Sequence, residues 1–317
     1  MARRVIVDCD PGHDDALAIL LAGRRLEVLA ITTVAGNQTV EKVTTNALKV
    51  VEAAGLTAIP VARGAATPLV RPPRHAPEVH GETGLDGPEL PPPRTPVADR
   101  HAVDLIVETA MREDDVTLLA LGPLTNVALA LRREPRLSQR LREICLMGGS
   151  TTRGNVTPAA EFNISVDPEA AHAVFTSGVP VRMVGLNVTQ QVVATPERRR
   201  AVRAAGTRVA VLAADLLEFY SAAIHRLYGL PGGALHDPVA AAALIDPSLV
   251  RFAPMHVAVE LHGEHTAGMT VCDDRYTRTA PDVPAARRGA PPNAEVAVAV
   301  DADRCFDLLL DVLREYP

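Results

Sequence analysis

Short apolar runs alternate with helical periodicity along much of this chain, and that alternation restricts the available folds more than any other feature. Runs at residues 4–8, 28–34, 116–121, 144–147 and 181–186 read as strands, and residues 14–22, 40–54, 102–112, 126–132 and 168–177 carry helical patterns. A strand that passes through a helix into the next strand pairs with it in parallel, and the helices then cover the sheet. The expectation is an α/β chain with an open, doubly wound, mostly parallel sheet. Further on, a long helix at 208–226 precedes apolar runs at 255–261, 268–272 and 295–300 and a closing helix at 304–314. Those three runs predict a small additional β region, at an edge or as a subsidiary sheet.

No low-complexity linker divides the 317 residues, so a single domain over 1–317 is expected. The long irregular stretch at 67–96 is Pro-rich and polar around His80-Gly81-Glu82-Thr83-Gly84. It is predicted to be a mobile loop and partial lid, too polar for a core element. With aromatics at 3% and no Trp, the core has to be built from Ala, Val, Leu and Ile. A net charge of −6 argues against nucleic acid as a partner. No apolar run approaches the roughly 20 residues that span a bilayer, and the first residues pass into a strand without a secretory apolar region. A cytoplasmic enzyme without a membrane partner is the expectation. Cys9, Cys145, Cys272 and Cys305 form no CxxC pair and read as buried thiols, Cys9 being a poor nucleophile between two acids.

Chemistry concentrates where the first strand meets the first helix. Asp8, Asp10, Asp14 and Asp15 place four carboxylates in eight residues around a Pro11-Gly12 turn. Acids in a first helical turn are favoured by the dipole by roughly 0.3–1 kcal/mol, which accounts for Asp14 or Asp15. It does not account for Asp8 and Asp10, which project to the same side of a strand and repel at a partly buried edge. A hard cation removes that conflict, and oxygen-only ligands favour calcium or magnesium over zinc.

The segment DCDPGHDDALAILLA resembles the N-terminal signature of the inosine-uridine preferring nucleoside hydrolases. ITTVAGNQT (31–39), LGPLTN (121–126), LMGG (146–149), GNVTPAAEFNISVDPEAA (154–171) and HDP (236–238) follow in that family's order, so the resemblance spans nearly the whole chain. It implies a Rossmann-like nucleoside hydrolase fold, a mobile segment at the HGExG stretch, and hydrolysis of the N-glycosidic bond of ribonucleosides. By the same resemblance, Asp10, Asp15 and Asp237 are side-chain ligands of Ca2+, the Leu121 carbonyl is a main-chain ligand, and Asp14 is the general base. Leu121 stands where the family often has Thr, a change that a main-chain ligand tolerates. Asp8 either supports the ion from behind its ligands or hydrogen-bonds within the turn.

Alone, His236-Asp237-Pro238 reads as an Asp N-cap with Pro at the first helical position. The family pattern instead turns His236 toward the base, where it can help protonate the leaving group. Asn37, Asn155, Glu161 and Asn163 match ribose contacts, with Met147 against the sugar face. His80 and Phe162 are candidates to flank the base, and Tyr220, His225 and Tyr228 could reach it from the long helix. His13 reads as a variable turn residue. Purine-specific relatives stack the base on tryptophan, which this chain lacks, so a nonspecific or inosine/uridine-type pocket is expected. The family is typically dimeric or tetrameric, so a homo-dimer or homo-tetramer is expected too.

Two other readings compete. A phosphoryl-transferring hydrolase of the DxD type matches only Asp8-Cys9-Asp10 and leaves LGPLTN and EFN unexplained. A calcium-dependent nucleoside-binding protein without activity leaves Asp14 without a role.

Overall fold

Side chains of the first strand, β1 (Arg4–Cys9), alternate between two apolar cores. Val5, Val7 and Cys9 join one and Ile6 the other, as a period of two dictates. The computed structural model describes residues 2–280 and 282–317. The remaining strands are β2 (Glu27–Thr33), β3 (Val61–Arg63), β4 (Val116–Ala120), β5 (Glu143–Met147), β6 (Val181–Val184), β7 (Val250–Val259), β8 (Thr270–Asp273) and β9 (Ala294–Val300). They form one sheet in the order β3-β2-β1-β4-β5-β6-β9-β7-β8. From β3 to β9 every pair is parallel, and β7 runs antiparallel to both of its neighbours.

The open, doubly wound, mostly parallel sheet is therefore present, and the C-terminal runs extend its edge. Strand β3 escaped the sequence reading because three residues are too few to show alternation. The run at 181–186 ends early as a strand, since Gly185 precedes a short helix at Leu186–Thr189.

Strand order reverses between β1 and β4, and the crevice beyond their carboxyl ends is where such sheets bind ligands. Two helices frame that crevice. His13–Arg25 buries ten residues, among them Leu17, Leu20 and Leu21, and it packs on His236–Ile245, whose Ala240 to Ala243 are all buried. Small side chains at the crossing let the axes approach closely. Full burial of each leucine contributes roughly 1.5–3 kcal/mol, so this pairing holds both N-terminal turns in place.

Residues 67–96 contain a helical turn, Pro77–His80, and bury His80 and Leu85, the latter within the main core. The stretch, expected to be too polar and Pro-rich for a core element, thus still contributes Leu85 to the main core. The stretch is also fastened through its carbonyls, to which polar side chains donate: Gln38 to Gly81, Asn46 to Thr83, Arg226 to Glu78 and Lys42 to Glu82. No helix among the described residues is long and apolar enough to cross a membrane.

Candidate active site

Asp14 and Asp15 stand in the first turn of His13–Arg25, and Asp237 in the first turn of His236–Ile245. All three are buried and each offers an oxygen within 4.8 Å of the others. The helix at 236 starts two residues earlier than the sequence implied: Leu235 is its N-cap, and Asp237 lies inside the turn. Two positive helix ends thus face one cluster of acids.

Asp10 adjoins this cluster at the end of β1. Its backbone N–H donates to Asp15 Oδ1 at 3.1 Å, and its Oδ2 accepts from the Asn37 N–H at 2.7 Å. The Asn37 amide donates to the Asp10 carbonyl at 3.1 Å and to Asp15 Oδ2 at 3.2 Å, tying the two acids together. A Cβ at Gly36 would lie 2.1 Å from Asp10 Oδ2, and one at Gly122 would lie 2.6 Å from Oδ1, so only glycine leaves room for this carboxylate.

Burial, and then the neighbouring acids, hold the Asp10 and Asp237 carboxyls well above the usual carboxylate range. Burial followed by the charge of Asp14 pushes Asp15 up to about 7. Acids in this condition either keep protons or take up a cation. The donor set is oxygen only, dry and negative, which fits a hard divalent metal ion.

Asp8 lies outside this cluster. Its Oδ1 accepts from Thr32 Oγ1 at 2.6 Å and Asn126 Nδ2 at 2.8 Å, its Oδ2 has no protein partner, and burial raises its pKa to about 7. It fastens β1 to β2 and to the helix Thr125–Arg133 rather than bonding within the turn.

Next to the acids, the ends of β4 and β5 are bridged by Asn163, whose amide donates to the Leu121 carbonyl at 2.6 Å and the Met147 carbonyl at 3.0 Å. Glu161 caps the short helix Phe162–Val166. Its Oε1 accepts from Asn163 N, and its Oε2 accepts from Ile164 N and Gly149 N. Burial lifts this carboxyl to about 7 in spite of those three donors. Asn155 accepts from the Phe162 N–H at 3.0 Å, so residues 147 to 163 form one wall.

The opposite wall consists of rings. His13, read from the sequence as a turn residue, is fully buried. It stacks on His80 at 5.3 Å, Phe219 at 5.2 Å and Tyr220 at 5.9 Å. Its Nε2 donates to the Asp86 carbonyl at 2.8 Å, and its Nδ1 lies 3.1 Å from His80 Nδ1. Burial, then His13 and His236, keep His80 well below the ordinary imidazole value. His236 is half-buried and bonds Thr189 Oγ1 through Nδ1 at 2.7 Å.

Tyr220 enters this wall, but His225 and Tyr228 do not. His225 is exposed, and Tyr228, at the last turn of Arg208–Tyr228, is 58% exposed. His13, Phe219 and Thr189 were missed because their partners lie far away in sequence, and no local pattern marks them.

The inosine-uridine preferring nucleoside hydrolase family model matches residues 5–307. The chain belongs to that family. It is 44% identical to an inosine-uridine preferring nucleoside hydrolase of Leishmania major, covering 99% of this chain and 98% of the relative. It is 41% identical to the pyrimidine-specific ribonucleoside hydrolase RihB of Escherichia coli O1:K1 / APEC, over the same shares. A solved plant nucleoside hydrolase, the PpNRh1 enzyme, superposes with a TM-score of 0.90 at 35% identity, covering 99% of this chain and 100% of that one. The activity is thus hydrolysis of the N-glycosidic bond of ribonucleosides. Membership in the family displaces both the phosphoryl-transfer reading and the non-enzymatic one.

Proposed function

We propose that this nucleoside hydrolase splits ribonucleosides of the inosine and uridine type into ribose and free base, with one calcium ion in its acidic crevice. The observation that carries the reading is the convergence of buried carboxylates from two helix N-termini at the switch point of the sheet. Asp10, Asp15, Asp237 and the Leu121 carbonyl would hold the ion. When bound, it supplies positive charge that acidifies water and grips adjacent sugar hydroxyls.

Asp14 takes the proton of the water that attacks the anomeric carbon. Asn37, Asn155, Glu161 and Asn163 bind the ribose hydroxyls, and Met147 packs against the sugar face. Glu161 is pre-set by its three backbone donors, which hold its carboxylate still. As the C–N bond breaks, its electron pair goes to the base, where His236 stands to donate. His80 and Phe162 flank the base, with Tyr220 behind His80 at 5.8 Å.

The test is a ribonucleoside panel scored by reducing-sugar release, run with elemental analysis of the purified protein. Release of sugar from inosine and uridine, with calcium at one ion per chain, is the expected result. Zinc in the site, or full activity after chelation, would overturn the metal assignment.

A further inference from the structure

Thr189 closes the short helix Leu186–Thr189 beyond β6, and its side chain is fully buried. Among the described residues its hydroxyl has a single hydrogen-bond partner, His236 Nδ1 at 2.7 Å. Neither group is forced into this pairing by sequence proximity, since the residues are 47 apart. The His236 Nε2 has no protein partner among the described residues and is not one of the buried orphan atoms, so that edge of the half-buried ring reaches solvent.

A hydroxyl carries one hydrogen and two lone pairs, whereas a neutral imidazole has one N–H and one bare nitrogen. If Nδ1 bore the ring hydrogen, the Thr189 hydroxyl hydrogen would be stranded without an acceptor in a dry site, which is costly. If Nδ1 is bare, the hydroxyl donates to it and every buried group is satisfied. The ring hydrogen then lies on Nε2, at the open edge.

We infer that Thr189 is a positioning residue that donates to His236 Nδ1 and thereby locks neutral His236 as the Nε2–H tautomer, whose N–H offers a hydrogen bond, without giving up its proton, to the base nitrogen as negative charge builds on it. The inference rests on the placement of His236 on the base side proposed above. No bond is made or broken at Thr189. A wrong tautomer would present a lone pair to a nitrogen that is gaining electrons, and would repel it.

Imidazole 15N shifts of the wild-type protein read the tautomer directly. They should show His236 protonated at Nε2 and bare at Nδ1, and the reverse pattern would overturn the inference. Kinetics supply the second arm. Thr189→Val, an isostere without the hydroxyl, should lower kcat on inosine and uridine by roughly tenfold or more, with KM little changed. On p-nitrophenyl riboside, whose leaving group departs unaided, it should do far less. Thr189→Ser should restore the rate, and Thr189→Val should add little in a His236→Ala background. Equal losses on both kinds of substrate, failure of Ser to rescue, or additive losses in the double variant would sink it. If His236→Ala itself loses the same factor on every substrate, the base-side reading of His236 falls first, and that result is distinct from a failure at Thr189 alone.

Discussion

The two walls of the crevice are built differently. The wall proposed to hold sugar and metal hangs on the carboxyl ends of β1, β4 and β5, and its polar atoms are committed to one another: Asn37 to Asp10 and Asp15, Asn163 to the Leu121 and Met147 carbonyls, Glu161 to three backbone N–H groups. The wall proposed to face the base is a stack of His13, His80, Phe219 and Tyr220 contributed by helix starts, the 67–96 stretch and the long helix, with Phe162 half-buried and Tyr228 exposed at its margin. A wall tied to strands has little freedom to drift, whereas one assembled from loops and ring faces accepts substitution. This contrast offers a reason why similar relatives can be named for different bases, inosine and uridine in one case and pyrimidines in another.

If the sugar wall is the rigid one, ribose discrimination should give the largest effect. Removing the 2′ hydroxyl leaves desolvated polar groups unpaired, so uridine should outperform 2′-deoxyuridine by roughly 10⁴-fold in kcat/KM. Comparable efficiencies would break the comparison at its stronger end. Next, Asp14→Asn should lower turnover by roughly 10²–10⁴-fold with calcium content and fold unchanged, as measured by steady-state kinetics beside elemental analysis. Near-native turnover would assign proton removal to another group.

Glu161 offers a pH test of the same wall. Its folded pKa, about 7, is raised above the unfolded value by burial, so the folded state holds the proton more tightly. The carboxyl therefore destabilises the fold progressively as pH rises from about 4.5 to about 7, and is neutral in effect below that window. Against Glu161→Gln, which does not titrate, wild-type stability in calcium-free urea melts should fall by up to about 3 kcal/mol across that interval. A gap independent of pH would show that the carboxyl is solvated. The smallest effect is expected at the margin of the base wall. Tyr228→Ala should change KM by a few-fold at most and leave kcat alone, because the ring is exposed. A large fall in kcat would mean that Tyr228 closes over the base during turnover, and the two walls would then differ less than they do at rest.

The residues proposed to hold sugar and metal stand out in the sequence because they fall in contiguous motifs. Asp10 to Asp15 sit on one turn, residues 155 to 163 on one loop, and strand ends project their side chains by simple alternation. The base wall was legible only in part. His80 and His236 emerged from family likeness, while His13 was taken for a turn residue.

The sequence by itself determined the doubly wound sheet, through its alternating periods, and the negative charge at the end of β1, through the local density of acids. Only the tertiary structure decided that Asp237 meets Asp14 and Asp15, that Asp8 turns away to Thr32 and Asn126, and that Thr189 meets His236. Periodicity records which face of an element is apolar, a local property. Which polar atoms meet across the crevice depends on how closely the alanine-lined helices pack and where each helix begins, and those depend on contacts between residues far apart in the chain.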